Sequence, residues 1–214
     1  MKKLIIPLLF IFAFSILAAV ESEPSEIVGY VKYPCVQGLN FVALPMDQGY
    51  TSVSQVGNTY PDLIEAISYW DASTQNWVAS VYYPEFEMWD PDYSVTIGLP
   101  LMVNCLNNVN YYSIGNLPTI NAQYSLIPGL NSIMIPLNKS NLTQASIVGT
   151  DIGIVNAVSE WIASTQSWNA SVYYPEFEMW DPDYEVTIGM PLMVNSLSSS
   201  IWPSGPRLIK SSNK

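Results

Sequence analysis

A twelve-residue segment rich in aromatic rings and carboxylates is the part of the sequence best suited to chemistry. It runs from Tyr82 to Tyr93 and recurs without change from Tyr173 to Tyr184. Aromatic rings can stack on sugars or bury area at a protein interface, and carboxylates accept hydrogen bonds from hydroxyl groups. The aromatic residues predicted to bind a ligand are Tyr82, Tyr83, Trp89, Tyr93, Tyr173, Tyr174, Trp180 and Tyr184.

The carboxylates of the same segment indicate a calcium site as a second interpretation. Ca²⁺ takes hard oxygen ligands of this kind, although the spacing here is not that of an EF-hand. No other cofactor is expected. The candidate metal ligands are Glu85, Glu87, Asp90 and Asp92 in the first copy and Glu176, Glu178, Asp181 and Asp183 in the second.

A purely structural interpretation of the segment competes with both. Alternation along a half-buried strand would put Glu85 and Glu87 on one face and Phe86 and Met88 on the other. Phe86, Met88 and Trp89 would then fill the core, while the acids would be solvated or would cap turns. The sequence leaves the core, the binding platform and the calcium site open.

Composition excludes several functions. The chain has no histidine, 7 Lys+Arg and 18 Asp+Glu, which gives a formal net charge of -11. Without histidine there is no Ser-His-Asp unit and no His-ligated zinc. Nucleic-acid binding needs basic residues to replace counterions, so no nucleic-acid partner is expected. We therefore predict that the protein is not an enzyme.

The first twenty residues have the pattern of a secretory signal peptide. Lys2 and Lys3 precede an apolar run from Leu4 to Val20, and acidic residues follow. The apolar run is at the short limit for crossing a bilayer. We expect a secreted protein, extracellular or on the cell surface, with the periplasm also compatible, and no membrane span after cleavage.

The remainder of the chain consists of one unit that occurs twice, with a period of 91 residues. Trp70 recurs as Trp161, and Trp77 recurs as Trp168. This repeat predicts a signal peptide over 1–20, a first β-domain over 26–117, a second over 118–209 and a tail over 210–214.

Short β-rich runs that end in turn residues predict an all-β fold. Trp70 to Trp77 is typical of a hairpin, because Asp, Ser and Thr supply local turn hydrogen bonds between two tryptophans that could pair across strands. We expect two tandem homologous domains, each a β-sandwich or small barrel. Each has room for one short helix, over 63–68 and 152–159.

Three stretches carry a resemblance to a known module: Gly38 to Pro45 (GLNFVALP), Trp70 to Trp77, and Gly98 to Val103. Together they resemble a small all-β module repeated in secreted bacterial multidomain proteins, which opens Gly-Trp-Asn-x-Ile-Ser-Leu-Pro. Both units here have Leu where that module has Trp. The resemblance implies an extracellular accessory or surface domain.

Cys35 and Cys105 are the only cysteines, and both lie in the first unit. Their counterparts in the second unit are Leu126 and Ser196, so the two thiols are present together in one unit and missing together from the other. In an exported protein this pattern predicts one disulfide. Two free buried thiols are the alternative.

The function predicted from these features is a secreted, non-enzymatic tandem β-domain protein. It would act as a cell-surface or extracellular binding or adhesion module for a glycan or a protein. The alternative is a structural subunit of a surface layer or extracellular filament, which would self-associate through sheet edges.

Overall fold

A computed structural model describes residues 28–204 of the chain. The predicted signal peptide over 1–20 and the tail over 210–214 lie outside this range. The first unit contains β1 (Val28–Cys35), β2 (Gly38–Ala43), α1 (Val53–Gly57), β3 (Ile64–Asp71), β4 (Asn76–Tyr83), β5 (Met88–Asp90), β6 (Pro100–Cys105) and β7 (Val109–Asn116). The second contains β8 (Tyr124–Leu126), β9 (Gly129–Met134), α2 (Ala145–Ile152), β10 (Val155–Ile162), β11 (Ser167–Tyr174), β12 (Met179–Asp181), β13 (Pro191–Ser196) and β14 (Ser200–Trp202).

The two units have the same topology. In the first, five antiparallel strands are ordered β2-β6-β3-β4-β5, and β1 pairs with β7 as a separate ribbon. The second repeats this arrangement as β9-β13-β10-β11-β12 with a β8–β14 ribbon. The prediction of an all-β fold with two sandwich-like units is confirmed. Neither unit closes into a barrel within residues 28–204.

Each core lies between the five-stranded sheet and the ribbon of its unit. In the first unit Ile67 and Val103, which pair across β3 and β6, are fully buried and belong to one cluster with Tyr111 of the ribbon. In the second unit, Val158 of β10 and Trp202 of the ribbon are likewise buried in one cluster. Burying an aliphatic or aromatic side chain of this size contributes roughly 1.5–3 kcal/mol, so these contacts hold ribbon and sheet together.

The predicted helix positions are wrong. Residues 63–68 and 152–159 fall mainly on β3 and β10, while the helices are α1 and α2, which lie earlier in each unit. The reason is tertiary, because β3 hydrogen-bonds to β4 on one side and to β6 on the other. A segment at the centre of a sheet satisfies all its backbone groups as a strand, whatever its local helix propensity.

The predicted tryptophan hairpin is confirmed. Trp70 lies directly opposite Trp77 in the β3–β4 register, with ring centroids 5.4 Å apart in an edge-to-face arrangement. Asp71 fixes the turn, because its carboxylate accepts hydrogen bonds from the Ser73 amide (2.9 Å) and from the hydroxyls of Ser73 (2.7 Å) and Thr74 (2.8 Å). These bonds, that of the Ser73 hydroxyl first, lower the pKa of Asp71.

No helix within residues 28–204 has the length and apolar character that crossing a membrane requires.

Candidate functional site

The repeated aromatic segment is divided between the core and the surface. Trp89 is only 5% exposed, lies against Gly57 of α1, and donates its indole N–H to Oδ1 of Asn58 at 3.0 Å. Trp180 takes the equivalent place against Gly149 of α2 and is half-buried. These tryptophans hold the short helices onto the sheets, so the expected ligand-binding role does not fit their surroundings.

The tyrosines of the segment also have different positions. Tyr93 and Tyr184 are half-buried and donate their hydroxyls, each at 3.0 Å, to the carbonyls of Ile67 and Val158 in the central strands. Burial raises the pKa of both phenols. These two residues therefore stabilise the central strands of the sheets.

The remaining predicted tyrosines lie nearer the surface. Tyr82 and Tyr173 are half-buried, each with its ring tilted against the neighbouring tryptophan at 5.4 Å. Tyr83 and Tyr174 are exposed at the ends of β4 and β11. Of the predicted aromatic residues, these last two are the best placed to meet a ligand.

The turns joining β4 to β5 and β11 to β12 present the most exposed aromatic rings of the segment. Phe86 is 73% exposed and Phe177 is 72% exposed, so the expectation that Phe86 fills the core is wrong. Met88, expected to be buried in the same way, is also exposed, as is its counterpart Met179. We name the segments 83–88 and 174–179 the hairpin tips. Each contains an exposed Tyr, Phe and Met together with two exposed glutamates.

Hydrogen bonds within the turn between β4 and β5 explain why the Phe86 side chain points outward. The Phe86 amide donates to the Tyr83 carbonyl at 3.1 Å, and the Glu87 amide donates to the Pro84 carbonyl at 3.3 Å. Glu87 has a φ of 51°, in the left-handed region. The strand alternation is interrupted here by a tight turn, so its two-residue period does not decide the direction of Phe86.

The eight acids predicted as calcium ligands do not assemble into metal sites. Asp92 accepts from the Ser54 amide at 2.9 Å and the Ser54 hydroxyl at 2.8 Å, so it holds the first turn of α1. Asp183 does the same for Ser146 of α2, at 2.9 and 2.7 Å. Within residues 28–204 no group of three or more Asp, Glu, His or Cys side chains is placed to hold a metal ion. The other predicted ligands, all exposed, are Glu85, Glu87, Asp90, Glu176, Glu178 and Asp181.

The predicted disulfide between Cys35 and Cys105 is not formed. Both residues are free, buried thiols, in the ribbon and the five-stranded sheet of the first unit. A hydrogen bond with Cys105, followed by burial, raises the pKa of the Cys35 thiol. In the second unit Leu126 and Ser196 occupy the same buried positions. The two cysteines therefore act as small core residues, as free cysteine often does.

The face where the two units meet is a feature that the sequence did not reveal. Residues of β2, β6 and β13 that point away from their unit's own core meet at this face, where Phe41 and Met102 of the first unit form one buried cluster with Met193 of the second. Trp70 and Trp161 pack on its border. Both faces of the five-stranded sheets are thus buried near these strands.

Matched hydrogen bonds hold this face together. The Trp70 indole donates to the Leu130 carbonyl at 2.8 Å, and the Trp161 indole donates to the Leu39 carbonyl at 2.9 Å. Tyr33 donates its hydroxyl to the Gly189 carbonyl at 2.7 Å, and Tyr124, its counterpart, donates to the Gly98 carbonyl at 2.8 Å. Such reciprocity is the signature of a two-fold interface, here between the halves of one chain.

A cavity of about 140 Å³ opens at this interface. Each unit contributes one tryptophan to its rim: Trp77 of the first unit is 36% exposed, and Trp168 of the second is 39% exposed. We name it the tryptophan cleft. Its lining residues are Trp70, Trp77, Leu130, Ser159, Trp168 and Met193.

The sequence contained one signal for this cleft, the pair of tryptophans seven residues apart that recurs 91 residues later. That signal predicts two hairpins, but it does not predict that Trp77 of one and Trp168 of the other line the same cleft. The chain matches no protein-family model, no curated protein and no solved structure. The resemblance to a module of secreted bacterial proteins therefore stays a prediction.

Proposed function

We propose that this protein is a secreted, non-catalytic binding or adhesion module that engages its ligand through the two hairpin tips. The observation that carries the proposal is the same highly exposed phenylalanine, Phe86 and Phe177, at the same place in both units. The secretory pattern of residues 1–20 supports the extracellular location. The absence of histidine supports a function without catalysis.

Comparison of the two units supports a role for the exposed tip residues. The tips lie in a stretch that is identical over 79–93 and 170–184. Exposed positions just outside that stretch have changed, from Asn76 to Ser167 and from Ser94 to Glu185. The contacts of Trp89 and Asp92 with α1 explain why these two residues are the same in both units. Phe86 is exposed, so packing within this chain does not explain why it is the same in both units.

The chemistry of the tips favours a protein ligand over a glycan. A sugar platform needs accessible flat rings with nearby hydrogen-bonding groups, and the two tryptophans expected to supply them pack against the helices. The tip instead offers the apolar side chains of Phe86 and Met88 beside Glu85 and Glu87. A partner with an apolar pocket and a basic rim would complement it.

Duplication gives such a module an advantage in avidity. Two tips on one pair of packed units convert the second binding event into an intramolecular one, and this can raise the overall affinity roughly 10²–10⁴-fold. The gain requires that both tips reach their ligands together. The matched hydrogen bonds between the units fix the distance between the two tips, so a ligand array with that spacing would be bound by both.

Binding of the fluorescently labelled full chain to intact cells of its source organism tests the proposal. Phe86→Ser and Phe177→Ser should each weaken binding at least about tenfold through lost avidity, and the double variant should abolish it. Tyr30→Ser is the matched control, because Tyr30 is an exposed aromatic residue of β1. Protease treatment of the cells should remove binding, whereas glycosidase treatment should not. A double variant that binds like the wild type would contradict the proposal.

Self-assembly through sheet edges has less support. The outer edge of β2 is occupied at Leu39, because Gln166 of the second unit bonds both the amide and the carbonyl of that residue at 2.9 Å. Gln75 covers Leu130 of β9 in the same way, at 2.8 and 2.9 Å. At these two residues the glutamine side chains occupy backbone groups that another strand would need.

A further inference from the structure

The interface between the units departs from two-fold symmetry at Phe41. Phe41 of β2 corresponds to Ser132 of β9, 91 residues later. The two occupy equivalent places in their sheets, since Phe41 pairs with Met102 and Ser132 pairs with Met193, its counterpart. One half of the interface therefore has a phenyl ring where the other has a hydroxymethyl group.

The ring of Phe41 lies between tryptophans of both units. Its centroid is 6.0 Å from that of Trp77 and 5.5 Å from that of Trp168, and both contacts are edge-to-face. This is a preferred geometry for aromatic pairs, with a gain of roughly 0.5–1.5 kcal/mol per pair beyond burial.

The tryptophan cleft lies where the symmetry-related ring would be. The counterparts of its lining residues Leu130, Met193 and Trp168 are Leu39, Met102 and Trp77. Leu39 precedes Phe41 by two residues on the same strand, Met102 pairs with it, and Trp77 contacts its ring. The cleft is thus the second of two related pockets, and Phe41 fills the first.

We propose that the tryptophan cleft is a binding site for a single aromatic ring, separate from the hairpin tips. The related pocket shows the preferred occupant, because a phenyl ring of this chain occupies it. The size also fits, since the cleft has about 140 Å³ and apolar cavities of about 150 Å³ bind benzene. The exposed rims of Trp77 and Trp168 leave the cleft open to solvent.

The lining limits the chemistry of the ligand. Indole rings, Leu130 and Met193 form the walls, and the only side-chain hydroxyl among the lining residues is that of Ser159. A sugar would bring several hydroxyl groups against apolar walls, where each unpaired polar group is costly. The cleft therefore selects a benzene-like or phenol-like ring. The ring belongs either to a free molecule or to an aromatic side chain of a partner.

Titration of the full chain with toluene and with methylcyclohexane, followed by tryptophan fluorescence and by NMR, tests the proposal. Toluene should bind with one site per chain and at least about tenfold more tightly than methylcyclohexane, because two edge-to-face contacts favour the aromatic ring. A capped phenylalanine peptide forms a second arm. Binding of the peptide identifies an aromatic side chain as the source of the ring, and binding of toluene alone identifies a free molecule.

Ser132→Phe is the decisive variant, since it should fill the cleft from within. It should abolish toluene binding and raise Tm by roughly 3 °C. Ser132→Leu, a smaller filler, should also block binding if the phenyl group proves too large to fold. Phe41→Ser should open the first pocket and give two toluene sites. Absence of saturable toluene binding, equal binding of methylcyclohexane, or undiminished binding to folded Ser132→Phe or Ser132→Leu protein would each overturn the proposal.

Discussion

Neighbouring side chains within the repeated aromatic segment have opposite roles. Trp89 is buried against α1, whereas Phe86, three residues earlier, is 73% exposed. Asp92 bonds the first turn of α1, whereas Glu85 lies at the surface. Residue type alone does not separate these cases, because strand alternation holds in β5 and fails in the turn before it.

At the residue scale, loss of the aspartate that bonds each helix start should cost stability. Asp183→Ala removes the acceptor of both the Ser146 amide and the Ser146 hydroxyl. The expected loss is about 1 kcal/mol in the free energy of unfolding, as for other helix-start acceptors. Urea denaturation measures it, and Asp181→Ala, at an exposed acid of the same segment, is the control. Equal effects of the two substitutions would contradict the assignment.

Alkaline unfolding should follow from the buried tyrosines. Burial raises the pKa of Tyr33, Tyr93, Tyr111, Tyr124 and Tyr184. In the unfolded chain these phenols ionise near pH 10. Below about pH 10 they are neutral in both states, and their contribution to stability is fully present. As the pH rises further toward their folded pKa values, the unfolded state loses protons first, and stability falls.

Absorbance at 295 nm and circular dichroism, recorded together during a base titration, check this prediction. Ionisation of the buried tyrosines should coincide with loss of the native ellipticity. Complete ionisation at unchanged ellipticity would show that these phenols are accessible in the folded state.

At the scale of elements, each helix depends on a glycine that lets a tryptophan approach. A methyl group added at Gly57 or Gly149 would overlap the indole of Trp89 or Trp180. Neither glycine has a positive φ, so the requirement is one of space and not of backbone conformation. The short helices are therefore positioned by packing more than by their own stability, as expected for elements of this length.

Gly149→Ala should destabilise the protein by about 1–3 kcal/mol, the usual cost of overpacking. Thermal unfolding measures the loss. The double variant Gly149→Ala/Trp180→Leu should show a smaller cost for the alanine than the single variant does, because the ring that it meets is gone. Strictly additive effects of the two substitutions would contradict a direct clash.

At the scale of the whole molecule, reciprocal contacts join the two units. Gln75 and Gln166 sit in the hairpin turns with φ of 55° and 53°, and each reaches across to an edge strand of the other unit. Gly38 and Gly129, with φ of 98° and 102°, lie beneath these glutamines. The repeated glycine thus has a conformational reason and a packing reason, since a side chain there would displace the glutamine.

The Gln75→Ala/Gln166→Ala variant should lose roughly 1 kcal/mol per glutamine, because the Leu39 and Leu130 amides lose their acceptors. The carbonyls of these two residues keep the tryptophan indoles as donors. Calorimetry should also show a broader transition, since the two units would unfold less cooperatively. Gln37→Ala is the control, as this residue is outside the two reciprocal sets. An unchanged transition in the double variant would mean that the glutamines do not couple the units.

The sequence by itself determined the repeat, the all-β class and the tryptophan hairpins. These follow from local patterns: a period of 91 residues, short β-rich runs, and turn residues between two tryptophans. It did not determine that 64–71 is a strand, because that depends on hydrogen bonds to β4 and β6. It also predicted a disulfide where the structure has two small buried thiols.

The tertiary structure decided which aromatic residues are available to a ligand. Trp89 and Phe86 belong to one segment, and only the folded path of the turn shows that the first is core and the second is surface. The tryptophan cleft exists only because two sheets meet with Phe41 on one side and Ser132 on the other. Local sequence carries the periods of strands and turns, whereas contacts between distant segments decide which faces are covered.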